Sequence, residues 1–338
     1  MKQWNLSRLL YTLLTSALVW AIPAFFCMCV GSDGQFGWPS RPDLRALRLE
    51  TVAVASLVGA SLAAAGVVYQ AILRNPLADP YLLGVSSGAS LMAYVWGFQF
   101  ANNLFGATLV AFGQQAFAFA GALMAVAVVL TLASRRGRVQ PVTLLLVGVI
   151  VNAIAGSLFL LINALRPERL AGTGSALAFL VGGIQTNLSD AQRLVAAVCA
   201  TAGWIVLFYL TGQLNVAALS EPEAEALGVR IHQLRWLALG VASIVTAAAV
   251  AVSGPIGFVG LICPHVARLI VGHDQRRLLP IATACGAALL ALADAGSRLI
   301  SAGGHTLLPV GVLTSLLGGP FFLFLLWRDR TDRTMEPG

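Results

Sequence analysis

Apolar runs long enough to cross a lipid bilayer recur from one end of this chain to the other. A transmembrane helix needs about 20 such residues. The runs fall at residues 9–30, 52–73, 82–100, 107–133, 142–165, 191–210, 236–252, 256–271, 278–301 and 310–327. Only 10% of the 338 residues are charged, where an average soluble domain has about 25%. The fold class expected is all-α: a polytopic membrane protein of about ten transmembrane helices, with residues 1–338 forming one transmembrane domain. A further apolar piece, 171–184, is short and rich in glycine and predicts a re-entrant or interfacial helix. Lys2 and Arg8 precede the first run, which is longer than the roughly 7–15 residues of a signal-peptide core, so it is expected to stay as an uncleaved first span.

The net charge of +7 fits basic loops on one side of a membrane. No basic stripe with interleaved aromatics suggests nucleic acid. With the N-terminus inside, Arg74, Arg135, Arg136, Arg138, Arg230, Arg235, Arg276 and Arg277 fall on the inner face. So do Arg328, Arg330 and Arg333, as the positive-inside rule requires. Arg41, Arg45, Arg48, Arg166, Arg169 and Arg298 fall outside. They are either tolerated charge or a docking surface for an acidic partner.

Residues 254–280 read GPIGFVGLICPHVARLIVGHDQRRLLP. Gly254, Pro255, Gly257, Gly260 and Pro264 break it, and such breaks at membrane depth are tolerated where protein or a water-filled path surrounds the backbone. They point to transport and away from a plain tether. The connection Asn75-Pro76-Leu77-Ala78-Asp79-Pro80 is stiff and capped. It is a structural hairpin or the narrow point of a path. Residues 213–235 form the longest soluble loop and contain a short helix signature. Ser220 can cap it, Pro222 suits its first turn, Glu221, Glu223 and Glu225 complement its N-terminal dipole, and Gly228 ends it. It is an ordinary loop helix or a handle for a cytosolic motor. Asp294 and Arg298 are four apart and predict an ion pair near the outer end of the ninth span.

Several chemistries lack their residues. No GxxxxGK[ST] motif occurs, so ATP is not expected to bind this chain. The spans carry no carboxylate and histidine chain for a proton relay, nor the inverted repeat of an ion-coupled secondary transporter. His232, His265, His273 and His305 are scattered, and the five cysteines lack zinc-ligand spacing. No nucleophile–base pair suggests an intramembrane enzyme.

Four segments together resemble one family. They are QAILRNPLADPYLLGVSSGASL at 70–91, EAEALGV at 223–229, the 254–280 stretch, and LPVGVLTSLLGGPFFLFLL at 308–326. In this order they resemble the permease subunits of type II ABC importers, which carry vitamin B12, haem and iron–siderophore chelates. The overall likeness is nearest to haem permeases, with siderophore and cobalamin permeases as alternatives.

The resemblance implies two permease copies around a path, two ATPase subunits below and a periplasmic binding protein above. It also implies a bacterial inner-membrane location with both termini cytoplasmic. ATP and magnesium would sit on the partner ATPase, with no cofactor or metal on this chain. Asn75 and Leu77, with Pro141 and Val142, match cytoplasmic gate positions. Glu223, Ala226, Leu227 and Gly228 match the ATPase-coupling turn. Arg48 and Arg298 match docking arginines. Two positions depart from the family pattern. Where Arg-Leu-Pro-Arg is usual, this chain has Arg48-Leu49-Glu50-Thr51, so Arg45 is expected to substitute for the missing arginine. Where Glu-Leu-Pro is usual, it has Leu307-Leu308-Pro309. The path is expected along the second, third and fifth spans, away from the 254–280 stretch.

Overall fold

A computed structural model describes residues 6–31, 36–96, 113–135, 138–165, 181–185, 188–219, 221–301 and 308–334. Among the described residues the chain is almost wholly helical. The helices are α1 Leu6–Cys29, α2 Pro42–Leu73, α3 Val85–Trp96, α4 Gly113–Ala133, α5 Pro141–Leu165, α6 Asp190–Ala217, α7 Glu221–Ala226, α8 Ile231–Ser253, α9 Val259–Val271, α10 Gln275–Ser301 and α11 Val310–Thr334. A 3-10 turn, Pro80–Leu83, precedes α3. The two-residue strands Ser134–Arg135 (β1) and Arg138–Val139 (β2) pair between α4 and α5. Seven described helices are long and apolar enough to cross a membrane, and Val259–Val271 and Val310–Leu323 are shorter apolar helices. Leaving out the short α7, the helices follow the expected order of spans.

The boundaries differ in instructive ways. The segment carrying Arg45 and Arg48 is helix, because α2 starts at Pro42 and not near residue 52. Pro42 and Asp43 favour a first turn, and nothing after them breaks the helix. At 1.5 Å per residue its 32 residues span about 48 Å, well beyond a hydrocarbon core of about 30 Å. Its first turns are exposed. Likewise α6 runs on to Ala217 and α8 starts at Ile231, so the predicted 213–235 loop shrinks to 218–230. Conversely, residues 254–258 are not helical, and α9 begins only at Val259. Of the expected 171–184 helix, residues 171–180 lie outside the described set. Its end is strapped down: Gly183 N donates to Ser253 O at 2.8 Å, and Gly311 N to Gly182 O at 3.1 Å.

The long α2 is the centre of the molecule and packs against α1, α6, α8, α9 and α10. Lipid tails supply no hydrophobic drive between helices, so close packing and buried polar bonds hold such an assembly. Small residues bring α2 and its neighbours to backbone contact. A Cβ on Gly59 would overlap the Gly286 carbonyl of α10, and one on Gly286 the Gly59 carbonyl. A Cβ on Gly66 would likewise overlap the Gly260 carbonyl of α9. Buried polar bonds add to this: Tyr69 Oη and Ser243 Oγ share a hydrogen bond of 2.7 Å between α2 and α8.

Candidate functional site

At the C-terminal end of α2 the chain makes consecutive side-chain-capped turns. Asn75 Oδ1 accepts from Leu77 N at 2.9 Å, and Asp79 Oδ1 accepts from Tyr81 N at 2.9 Å. Ala78 N donates to Asn75 O at 3.1 Å. These bonds fix the expected gate residues Asn75 and Leu77 in a rigid loop, both half-buried. The 3-10 turn then packs on α5. Asn152 Nδ2 donates to Tyr81 O at 3.0 Å, and Ser87 Oγ donates to Asn152 Oδ1 at 2.6 Å. Pro141 and Val142 begin that same α5, and Val142 is 71% exposed. The 3-10 turn and α5 thus link the two segments expected to form a gate, while the Val142 side chain faces away from the fold.

The 254–280 stretch packs against the turn that follows this loop, a contact the sequence did not predict. Ile256 N donates to Tyr81 Oη at 3.0 Å. A Cβ on Gly260 would come within 2.8 Å of Pro80 Cδ. Gln70 Nε2 reaches the carbonyls of Gly260 and Leu261 at 3.4 and 3.3 Å, while its Oε1 accepts from Arg268 Nη2 at 2.9 Å. Two motifs far apart in sequence therefore form one site. The interrupted backbone at 254–258 makes this possible, because its free N–H groups turn to Tyr81 and Asp79.

Asp79 is partly exposed as a residue, but its carboxyl is enclosed. Burial pushes it up to about 6, against the opposing pull of the Tyr81 and Phe258 backbone N–H groups. Its folded value lies above the ordinary carboxylate value near 3.9. The stability it contributes is therefore full below that value and is lost as pH rises through about 6. Asp79→Asn keeps an acceptor for Tyr81 N and removes the titration. Melting temperature is expected to fall between about pH 4 and 6.5 in the wild type, with a smaller fall in the variant. Equal pH slopes would overturn this role for Asp79.

The segment expected to couple to an ATPase forms the short helix read from the sequence, ended by Gly228, while Ser220, its predicted cap, lies outside the described residues. Helix α7 ends in a Schellman motif. Val229 N donates to Ala224 O at 3.0 Å and Gly228 N to Glu225 O at 2.9 Å. Gly228 supplies the left-handed residue at φ +81°. Ala224 is fully buried, whereas Glu223, Ala226, Leu227 and Gly228 are exposed. Glu221 Oε1 accepts from Arg235 Nη2 at 2.6 Å. That hydrogen bond to Arg235 holds its carboxyl below the usual range.

Two residues to which the sequence assigns no bonding role, Arg74 and Asn215, tie the approach to α7 to the Asn75 loop and to the α9–α10 turn. Arg74, in the left-handed conformation at φ 48°, caps α2. Its Nη2 donates to Ala217 O at 3.0 Å and also to Leu219 O. One guanidinium thus ties the residue before Asn75 to the base of α7. Asn215 takes up the α9–α10 turn in the same way, donating to Asp274 Oδ1 at 2.7 Å and accepting from Gln275 N at 2.8 Å. In the sequence these are ordinary loop polar residues. Only the position of Arg74 beside Asn75 singles it out.

The expected docking arginines lie at the opposite end of α2. Arg48 Nη1 donates to Met28 O at 2.9 Å and to Gly37 O at 3.1 Å. Arg298 is buried; its Nη1 donates to Val30 O at 2.9 Å, and its Nη2 pairs with Asp294 at 2.9 Å as the spacing predicts. Both therefore hold the chain where it leaves α1. Arg45 is exposed, with a long bond of 3.4 Å to Pro39 O. Glu50, at one of the departures from the family pattern, pairs with Arg193 of α6 at 2.5 Å.

Comparison with known proteins agrees with this architecture. Residues 34–328 match the FecCD transport family. The chain is 40% identical over 306 residues to the cobalamin import system permease protein BtuC of Halobacterium salinarum, covering 89% of this chain and 78% of that one. It is 38% identical over 293 residues to the hemin transport system permease protein HmuU of Yersinia pestis, covering 85% and 84%. It is 36% identical to the iron(3+)-hydroxamate import system permease protein FhuB of Bacillus subtilis, covering 84% and 71%. A solved structure of a metal-chelate type ABC transporter in an inward-facing conformation superposes with a TM-score of 0.79 at 30% identity, covering 94% of this chain and 99% of that one. With that match over most of its length, the chain belongs to the FecCD transport family and is a membrane-embedded permease of an ABC importer.

Proposed function

We propose that this permease moves haem from a periplasmic binding protein to the cytoplasm, driven by ATP hydrolysis on separate subunits. The observation that carries the mechanism is the Arg74 tie. Arg74 bonds Ala217 and Leu219, which lead into α7, so a motion imposed on α7 at Glu223, Ala226, Leu227 and Gly228 has a direct route to the loop of Asn75 and Leu77. The exposed Leu227 and the acidic residues beside it suit a cytosolic ATPase carrying ATP and magnesium. The basic-loop asymmetry supports an inner-membrane location with both termini cytoplasmic. The open apolar face of α5, with Val142, Leu146, Ile150 and Ile154 exposed, suits a second copy. Pro141 and Val142 of each copy would then meet Asn75 and Leu77 at the inner mouth of a shared path.

Haem is supported by the likeness to the hemin permease, and cobalamin by the likeness to the cobalamin permease. Proteoliposomes holding this chain with its ATPase and binding protein, offered haem, cobalamin and a ferric siderophore in turn, decide between them. Fastest ATP-dependent uptake of haem is expected. Uptake of cobalamin or the siderophore alone would replace the cargo assignment, and uptake without the ATPase would overturn the mechanism.

The extended N-terminal turns of α2 suit the binding protein, with Arg45 and Arg48 pairing its acidic residues while Arg298 holds the platform. Reversing both Arg45 and Arg48 to Glu is expected to weaken docking about tenfold or more at low ionic strength, and less at high salt. Binding of the partner to purified permease measures this; unchanged docking would remove the site. Arg298→Glu is expected to act differently, lowering folded yield, since it buries a second carboxylate beside Asp294.

A further inference from the structure

On α1, Ser7, Arg8 and Tyr11 line a cavity of about 310 Å³ together with Arg277 of α10. Helices α1 and α10 pack along one another, which brings these distant residues together. Among the described residues, no carboxylate lines the cavity. Neither Arg8 nor Arg277 forms an ion pair among the described residues. Two guanidiniums sharing one space repel each other unless an anion lies between them. The Ser7 hydroxyl and the Tyr11 phenol add hydrogen-bond donors suited to phosphate oxygens.

The depth of the cavity identifies the anion. Arg8 and Arg277 each stand immediately before an apolar run, at Leu9 and Leu278. That is the level of lipid headgroups. From Tyr11 an exposed apolar stripe continues along the same face of α1. Leu14, Leu18, Ile22 and Phe25 are 64%, 60%, 68% and 63% exposed, at the spacing of three and four residues that aligns side chains on one face. A free phosphate would leave this stripe unused. A lipid fills both parts, with its phosphate between the arginines and an acyl chain along the stripe.

We propose that Ser7, Arg8, Tyr11 and Arg277 form a binding site for the headgroup of an anionic phospholipid in the leaflet facing the N-terminus. The bound lipid clamps α1 to the start of α10. Arg277 lies two residues from Gln275, whose N–H is held by Asn215 at the base of the coupling turn. The site therefore steadies the junction on which that turn is mounted. It rests on no assignment of cargo.

The test uses the full chain purified in detergent and fluorescent phosphatidylglycerol, with phosphatidylcholine and inorganic phosphate as the comparison probes. Wild type is expected to bind phosphatidylglycerol about tenfold or more tighter than phosphatidylcholine, and millimolar phosphate is not expected to displace it. Arg8→Gln with Arg277→Gln is expected to abolish the preference. Arg230→Gln, which removes an exposed charge elsewhere, should leave it intact. Equal binding of the two lipids by wild type overturns the proposal without any variant. So does a preference that survives in the double variant. Full displacement by phosphate would show a free-anion site and also overturns it.

Discussion

Gly228→Pro is expected to reduce uptake tenfold or more in reconstituted transporter while the ATPase continues to turn over. Proline holds φ near −65°, whereas Gly228 sits at +81°. Proline also lacks the N–H that reaches Glu225 O, one of the two bonds closing α7. The local cost is about 3 kcal/mol or more, enough to unwind a six-residue helix that has few other bonds. Nothing lies within 4 Å of a Cβ at this position, so the effect is conformational and not a clash. Gly228→Ala isolates the backbone effect. It keeps the N–H and is expected to lose less, at a left-handed cost of about 1–2 kcal/mol. Measuring haem uptake and ATP hydrolysis together separates loss of coupling from loss of assembly. Normal uptake by the proline variant would remove 223–228 from the coupling role.

Gly66→Val is expected to abolish folded protein altogether. At this position the obstacle is backbone, since an added Cβ meets the carbonyl of Gly260. Backbone cannot swing aside as a side chain can, so α2 and α9 would have to separate. Overpacking in a close-packed interior costs about 1–3 kcal/mol or more. Separation would also strain the bonds from Gln70 to Gly260 and Leu261. Monodisperse yield in detergent measures the loss. Gly240→Val is the control, since no atom lies within 4 Å of a Cβ there. Wild-type yield of Gly66→Val would disprove the close crossing.

The spans and their order were legible because apolar length is a direct reading of membrane thickness. The Gly228 turn was legible because local backbone rules decide it. The Asp294–Arg298 pair was legible from helical spacing, yet the bond from Arg298 to Val30 O joins residues 268 apart, and no local rule reaches that far. The same limit hid the meeting of Tyr81 with Ile256 and of Arg74 with Ala217. The N-terminal extension of α2 was missed for another reason: charge there signals exposure, which suits a loop and a projecting helix equally. Glu50 read only as a departure from a pattern, because its partner Arg193 lies on another helix.

The Arg74 tie sets a limit on slip. For the segment leading into α7 to move and leave the Asn75 loop behind, two charge-assisted hydrogen bonds must break, and the carbonyls of Ala217 and Leu219 must find water. Arg74 is exposed, so each bond belongs at the low end of its range, about 1.5 kcal/mol. Together they favour the tied arrangement over the broken one about a hundredfold. If α7 carries the coupling proposed above, Arg74→Ala is expected to raise the ATP hydrolysed per substrate moved, since it removes both bonds.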